Sequence, residues 1–240
     1  NQDLSGIPII RPGMGDTINF SNQGSGSLKL GTFQAANETG SLSTVVFKPG
    51  ASGNIEIVSG KTIANAGNLG VKKIAIVLDD VGTLKMAVTT LGSWDGSDAD
   101  GNSVTIRQGT LMANTIANAS PTWAVKSSIG TNGRIQFGEA GQTRTATLDY
   151  YNAANATTDR AFYIIDNNTA VFKVSGGSTT NLTLTTAITQ SAATNGGGKL
   201  TKKMFVGGVT DLSDAEFLKI AATHVEALQH ALQGLPKDRI

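Results

Sequence analysis

Between residues 16 and 190 the apolar residues come in short runs separated by clusters rich in Gly, Asn and Ser. The runs are "TINF" (17–20), "STVVF" (43–47), "NIEIV" (54–58), "KKIAIVL" (72–78), "TLKMAV" (83–88), "VTIRQ" (104–108), "RIQF" (134–137), "TATLDYY" (145–151), "AFYII" (161–165), "AVFKV" (170–174) and "NLTLTTAI" (181–188). Many alternate apolar and polar residues, which is the period-two signal of a half-buried strand between turn residues. This pattern restricts the body of the chain to a mainly β fold of short modules, which we expect to be antiparallel.

Laid on itself, the chain shows a weak repeat. "TINFSNQG" (17–24) answers "RIQFGEAG" (134–141), "QAANET" (34–39) answers "NAANAT" (152–157), and "IEIVSG" (55–60) answers "FKVSGG" (172–177). The expected organisation is an extended N-terminal arm over 1–15, a β module over 16–68 and a middle β module over 69–131. A second β module over 132–190 is related to the first. A Gly-rich linker and strand follow over 191–210, and a helix and tail over 211–240. The arm "SGIPIIRPG" (5–13) is too short for its own core, and Pro8 and Pro12 favour extended chain, so we expect it to lie on a neighbour.

The C-terminal segment follows a different rule. Ser213 and Glu216 form a capping box, Leu212 and Phe217 stand at hydrophobic-staple positions, and Gly234 and Pro236 close the run. Inside it Leu218, Ala221, Val225, Leu228, Leu232 and Leu235 alternate spacings of three and four, a coiled-coil seam of about two and a half heptads. So short a helix is marginal alone, and something must cover the seam. It packs on its own β core, clamps an assembly, most simply a trimer, or binds a different protein. These six residues are the assembly positions assigned from the sequence.

Composition removes several function classes. Charged residues are 15% of the chain, against about 25% in ordinary soluble domains. Net charge is +1, with no basic stripe of the kind nucleic acid requires. There is no cysteine, hence no disulfide framework, thiolate nucleophile or Cys-based zinc site. The longest aliphatic run, "IAIVL" (74–78), is far short of a membrane span. The chain opens at Asn1 without the basic and apolar regions of a signal peptide, so we expect a processed or excerpted sequence.

No motif carries catalysis. His224 and His230, the two histidines, stand six apart, off the shared helical face that metal ligands at i and i+4 would occupy. "WDGSDADGNS" (94–103) spaces Asp95, Asp98 and Asp100 in the manner of a calcium loop. However, Ser103 and Gly109 replace the glycine and bidentate Glu of an EF-hand begun at Asp98, and a polar hairpin tip is the plainer reading. "GGGKLT" (196–201) fails as a phosphate loop, because Ala193 stands at the upstream glycine position and Leu200 follows Lys199. Glycan cleavage by paired carboxylates lacks aromatic platforms, since Trp94 and Trp123 are isolated. Asn-x-Ser/Thr sites such as those at Asn37, Asn118, Asn155, Asn167 and Asn181 are what a Thr/Asn-rich chain produces by chance. We expect no enzyme, cofactor or metal.

Two segments carry a family resemblance. "GRIQFGEAGQTRTATLDYYNAANATTDRAFYIIDNNTAVFKVSGG" (133–177) resembles the fibre pattern of a Phe-bearing strand, a polar turn, a Tyr-bearing strand and a closing strand before Gly-Gly. "GGGKLTKKMFVGGVT" (196–210) resembles the recurring fibre segment that ends in Val-Gly-Gly. Both are similar to phage tail-fibre and virion-appendage proteins. The resemblance implies a non-enzymatic homotrimer on the virion surface. Its implied partners are other virion structural proteins and a host surface glycan or receptor. A capsid decoration or cement protein, and then a bacterial adhesin or pilus-like subunit, are the alternatives.

Overall fold

The computed structural model describes residues 1–12, 15–34, 42–61, 63–64, 73–87, 102–119, 127–130, 133–190 and 199–202. Over these residues the chain winds into a β-solenoid in which every strand pairing is parallel. A partial first coil holds β1 (Gln2–Leu4). The second holds β2 (Thr17–Asn22), β3 (Ser27–Leu30) and β4 (Phe33–Gln34), and the third β5 (Leu42–Pro49), β6 (Asn54–Ile57) and β7 (Ile63–Ala64). The fourth and fifth run their first two faces together as long bent strands, β8 (Lys73–Met86) and β9 (Asn102–Ala113). The sixth holds β10 (Arg134–Phe137), β11 (Thr145–Tyr150) and β12 (Ala156–Thr158), and the seventh β13 (Phe162–Ile164), β14 (Thr169–Val174) and β15 (Leu182–Leu184). The eighth holds β16 (Ile188–Gln190) and β17 (Lys199–Lys202).

Each coil stacks on the next with a short sequence offset. Thr17 pairs with Thr44, Ile76 with Val104, Ile135 with Phe162 and Phe162 with Ile188. Face 1 runs β2–β5–β8–β9–β10–β13–β16 and face 2 runs β1–β3–β6–β8–β9–β11–β14–β17. On face 3, β4 pairs with β7 and β12 with β15. The antiparallel expectation is therefore wrong. Alternation of apolar and polar residues is the same in both kinds of sheet, so it reports burial of one face and not strand direction. Segments close in sequence lie on different faces of one coil, and the rest of the coil is the crossover that a parallel pair needs.

The core is a set of vertical columns. One inward column on face 1 is Ile18, Val45, Ile76, Val104, Ile135, Phe162 and Ile188; another is Phe20, Phe47, Leu78, Ile106, Phe137 and Ile164. On face 2 the columns are Leu28, Ile55, Leu84, Leu111, Leu148, Phe172 and Leu30, Ile57, Met86, Ala113, Tyr150, Val174. Nearly all of these are buried, and full burial of a side chain of this size contributes about 1.5–3 kcal/mol. Phenylalanines thicken both ends of the core. Phe20, Phe33 and Phe47 lie within 5.9 Å of one another, and Phe172 lies 5.1 and 5.0 Å from Phe137 and Phe162. The matched segments 17–24 and 134–141 share these columns four coils apart, as do 55–60 and 172–177.

The N-terminal arm belongs to this stack. β1 pairs with β3, Ile10 bridges Phe33, and the Asn1 side-chain oxygen accepts the Ser27 N–H at 2.9 Å. It packs on its own chain, as a partial coil. At the corner between faces 1 and 2, β9 turns at Gly109, whose φ is +82° and where a Cβ would overlap Asp80 O. The expected C-terminal helix, its coiled-coil seam and the Val-Gly-Gly segment lie outside the described residues.

Candidate assembly surfaces

Most predicted positions also fall outside the described residues. These are Leu218, Ala221, Val225, Leu228, Leu232 and Leu235, with His224, His230, Asp95, Asp98, Asp100, Trp94, Trp123 and Asn37. Among the described residues no cluster of three or more His, Cys, Asp or Glu could hold a metal ion. Asn118 and Asn155 work as backbone acceptors on face 3. Asn118 Oδ1 takes the Asp159 N–H at 3.1 Å and Asn155 Oδ1 the Asn181 N–H at 2.8 Å. Asn167 turns a corner at φ 62°.

Among the described residues, three of the polar groups that the fold brings together bear on assembly, none of them singled out by the sequence. The first is a charged corner spanning three coils. Arg107 Nη1 lies 3.0 Å from Asp79 Oδ2, and Arg144 Nη1 lies 2.7 Å from Glu139 Oε2 and 3.5 Å from Asp79 Oδ1. The Arg107 Nε–Glu139 Oε1 distance of 3.6 Å closes the ring. Two acids face two arginines, so each charge is spent on a neighbour. Beneath it, fully buried Asn168 uses both ends of its amide. Oδ1 accepts the Arg144 N–H at 3.2 Å, and Nδ2 donates to Glu139 O at 3.0 Å and Asp166 O at 2.8 Å.

The second group surrounds Arg160, a fully buried arginine. Its Nε donates to Gly133 O at 3.0 Å, Nη1 to Ile129 O at 3.3 Å and also to Gly130 O, and Nη2 to Ser103 Oγ at 2.7 Å. Burial pulls its pKa down to about 10, with Asp159 opposing the shift, so the guanidinium stays charged at neutral pH. It ties β13's approach to the turn before β10.

The third group is the outer surface of face 2. Its outward row reads Asp3, Lys29, Glu56, Lys85, Met112, Asp149, Lys173, one residue per coil. Lys85 Nζ lies 3.0 Å from Glu56 Oε1 and Lys173 Nζ 2.9 Å from Asp149 Oδ2; Ser175 Oγ donates to Asp149 Oδ1 at 2.7 Å. Opposite charges on adjacent strands favour this register. The neighbouring row is Ser27, Asn54, Thr83, Thr110, Thr147, Val171, uncharged throughout. The sequence held the clue in charges of opposite sign at Lys29, Glu56 and Lys85, spaced as the coils are.

At the N-terminal end Leu4, Ile7 and Ile9 are 39, 40 and 44% exposed, and β2 carries no charge, Pro or Gly. Edge strands of this composition are open to pairing. Among the described residues, β2 ends the face 1 sheet, with β5 as its paired strand. Compared with protein-family models, curated proteins and solved structures, the chain matches none.

Proposed function

We propose that the chain is a non-enzymatic structural component of a phage particle, a fibre or spike protein at the virion surface. The observation that supports this reading is the unbroken parallel pairing of face 1 from β2 to β16. At about 4.8 Å per strand it makes a stiff block roughly 29 Å long. Among the described residues, the ion pairs Asp79–Arg107, Glu56–Lys85 and Asp149–Lys173 tie neighbouring coils to one another. Solenoids also serve other ends, so the reading leans as well on the fibre-like segments 133–177 and 196–210. In this role three copies associate through the seam Leu218–Leu235, and the solenoid meets other virion proteins or a host glycan. The alternative is a cement protein, with exposed Leu4, Ile7 and Ile9 against a capsid shell.

Two measurements test it. Gold-labelled antibody against the chain should decorate the tail or its fibres in electron micrographs of particles. Label spread over the capsid selects the cement reading, and unlabelled particles refute both. Native mass by light scattering, before and after deletion of 211–240, should give a trimer that dissociates on deletion. A full-length monomer sinks the trimeric fibre.

A further inference from the structure

The outward row of face 2 has a symmetry that pairing within the chain does not require. Met112 is its uncharged member. One strand away on either side stand Lys85 and Asp149, and two strands away stand Glu56 and Lys173. At each step the two signs are opposite. Such a row is its own complement. A second copy can be turned by 180° about an axis that runs along β9 through Met112 and laid face to face. Then Glu56 meets Lys173 of the second copy, Lys85 faces its Asp149, and Met112 meets Met112. A copy laid alongside in the same direction would set lysine on lysine.

We propose that face 2 is a self-association surface on which two copies pack antiparallel about a two-fold axis through Met112. The adjoining row, Asn54, Thr83, Thr110, Thr147 and Val171, is uncharged and adds no repulsion in either direction. Asp149 is buried beneath Lys173 and Ser175, so direct contact falls to Glu56, Lys173 and Met112, while Lys85 acts at longer range. Five strands at about 4.8 Å give a contact of roughly 350 Å² per copy. Stable complexes bury about 800 Å² per partner, so this association is weak, fast and salt-sensitive. It does not depend on the virion reading, and in a parallel trimer it would link one trimer to another.

The chain lacks cysteine, so Met112→Cys puts a single thiol on the proposed axis. Under mild oxidation at about 20 mM salt, Met112→Cys should form disulfide-linked pairs about tenfold faster than Ser59→Cys, a control in an exposed turn. Raising salt to about 500 mM should remove most of that advantage. In the Met112→Cys background, Glu56→Lys alone and Lys173→Glu alone should each abolish it, because like charges then meet at both symmetry-related positions. An equimolar mixture of the two should restore it as a mixed pair. Each variant also places like charges together within its own chain, and mixing cannot relieve that. Restoration therefore reports the contact between copies, and circular dichroism of each variant checks its fold. Cross-linking no faster than the control, indifference to Glu56→Lys and Lys173→Glu, or a mixture that fails to recover would each overturn the proposal.

Discussion

Arg160 shows how one residue can hold a corner that has no regular structure. Three carbonyls and a hydroxyl converge on its guanidinium, in a place where water does not reach. Arg160→Met fills similar volume but leaves those acceptors without their donor, at about 1–3 kcal/mol each when buried. We expect a loss of at least about 3 kcal/mol in urea unfolding. Arg160→Lys keeps the charge but cannot reproduce the planar fork, and should recover less than half of it. Tyr151 gives a second test at this scale. Burial, helped by the Glu56 carboxylate, pushes its phenol up to about 12. The unfolded chain releases that proton near pH 10 and the folded chain holds it, so the contribution is complete below pH 10 and is lost as pH rises to about 12. An ultraviolet titration should show a tyrosine ionising near 12 that disappears in Tyr151→Phe; ionisation of all tyrosines near 10 would refute the assignment. Neither residue advertised itself in the sequence, because an Arg after Asp or a second Tyr acquires its role only when distant coils close around it.

At the level of strands and corners, the charged ring of Asp79, Arg107, Glu139 and Arg144 joins the fourth, fifth and sixth coils. Its members are partly exposed, so each pair contributes little, but Arg144 bridges two acids. Arg144→Gln should cost about 1 kcal/mol at low salt and clearly less near 1 M, whereas Lys85→Gln, which breaks the Glu56 pair and takes the ammonium from over the Tyr151 ring, should cost about 1 kcal/mol or less. Equal costs at both salt concentrations would show that the ring acts by packing and not by charge. The strands themselves were legible: "STVVF", "RIQF" and "AVFKV" all lie in strands, because half-burial enforces alternation. "KKIAIVL" and "TLKMAV" read as two strands but merge into β8, whose bend absorbs a register shift between Leu78 and Thr83. Direction was not legible, since period two carries no sense of direction.

For the whole molecule, the decisive quantity is the coil. The matched segments 17–24 and 134–141 stand on the same columns, four coils apart. A column accepts Ile, Val, Leu or Phe alike, so neighbouring coils share chemistry without sharing letters, and the spacing varies from 24 residues at Leu148–Phe172 to 37 at Leu111–Leu148. Stability in such a stack is nearly a sum over coils and their interfaces. Deleting 162–187 removes one coil and lets β16 take the place of β13 on β10, and β17 that of β14 on β11. The chain loses the Phe162 and Phe172 contacts, and Gly138 and Glu139 lose Asn168, so it should be less stable. It should nonetheless keep its strand signal and unfold cooperatively, with a urea m-value lower by roughly one coil's share. Deleting 162–174 removes only two faces. The remaining chain then delivers face 3 where face 1 is required, apolar columns meet polar rows, and the product should aggregate or fail to fold. If the two deletions behave alike in circular dichroism and urea unfolding, the coil is not the unit of this fold.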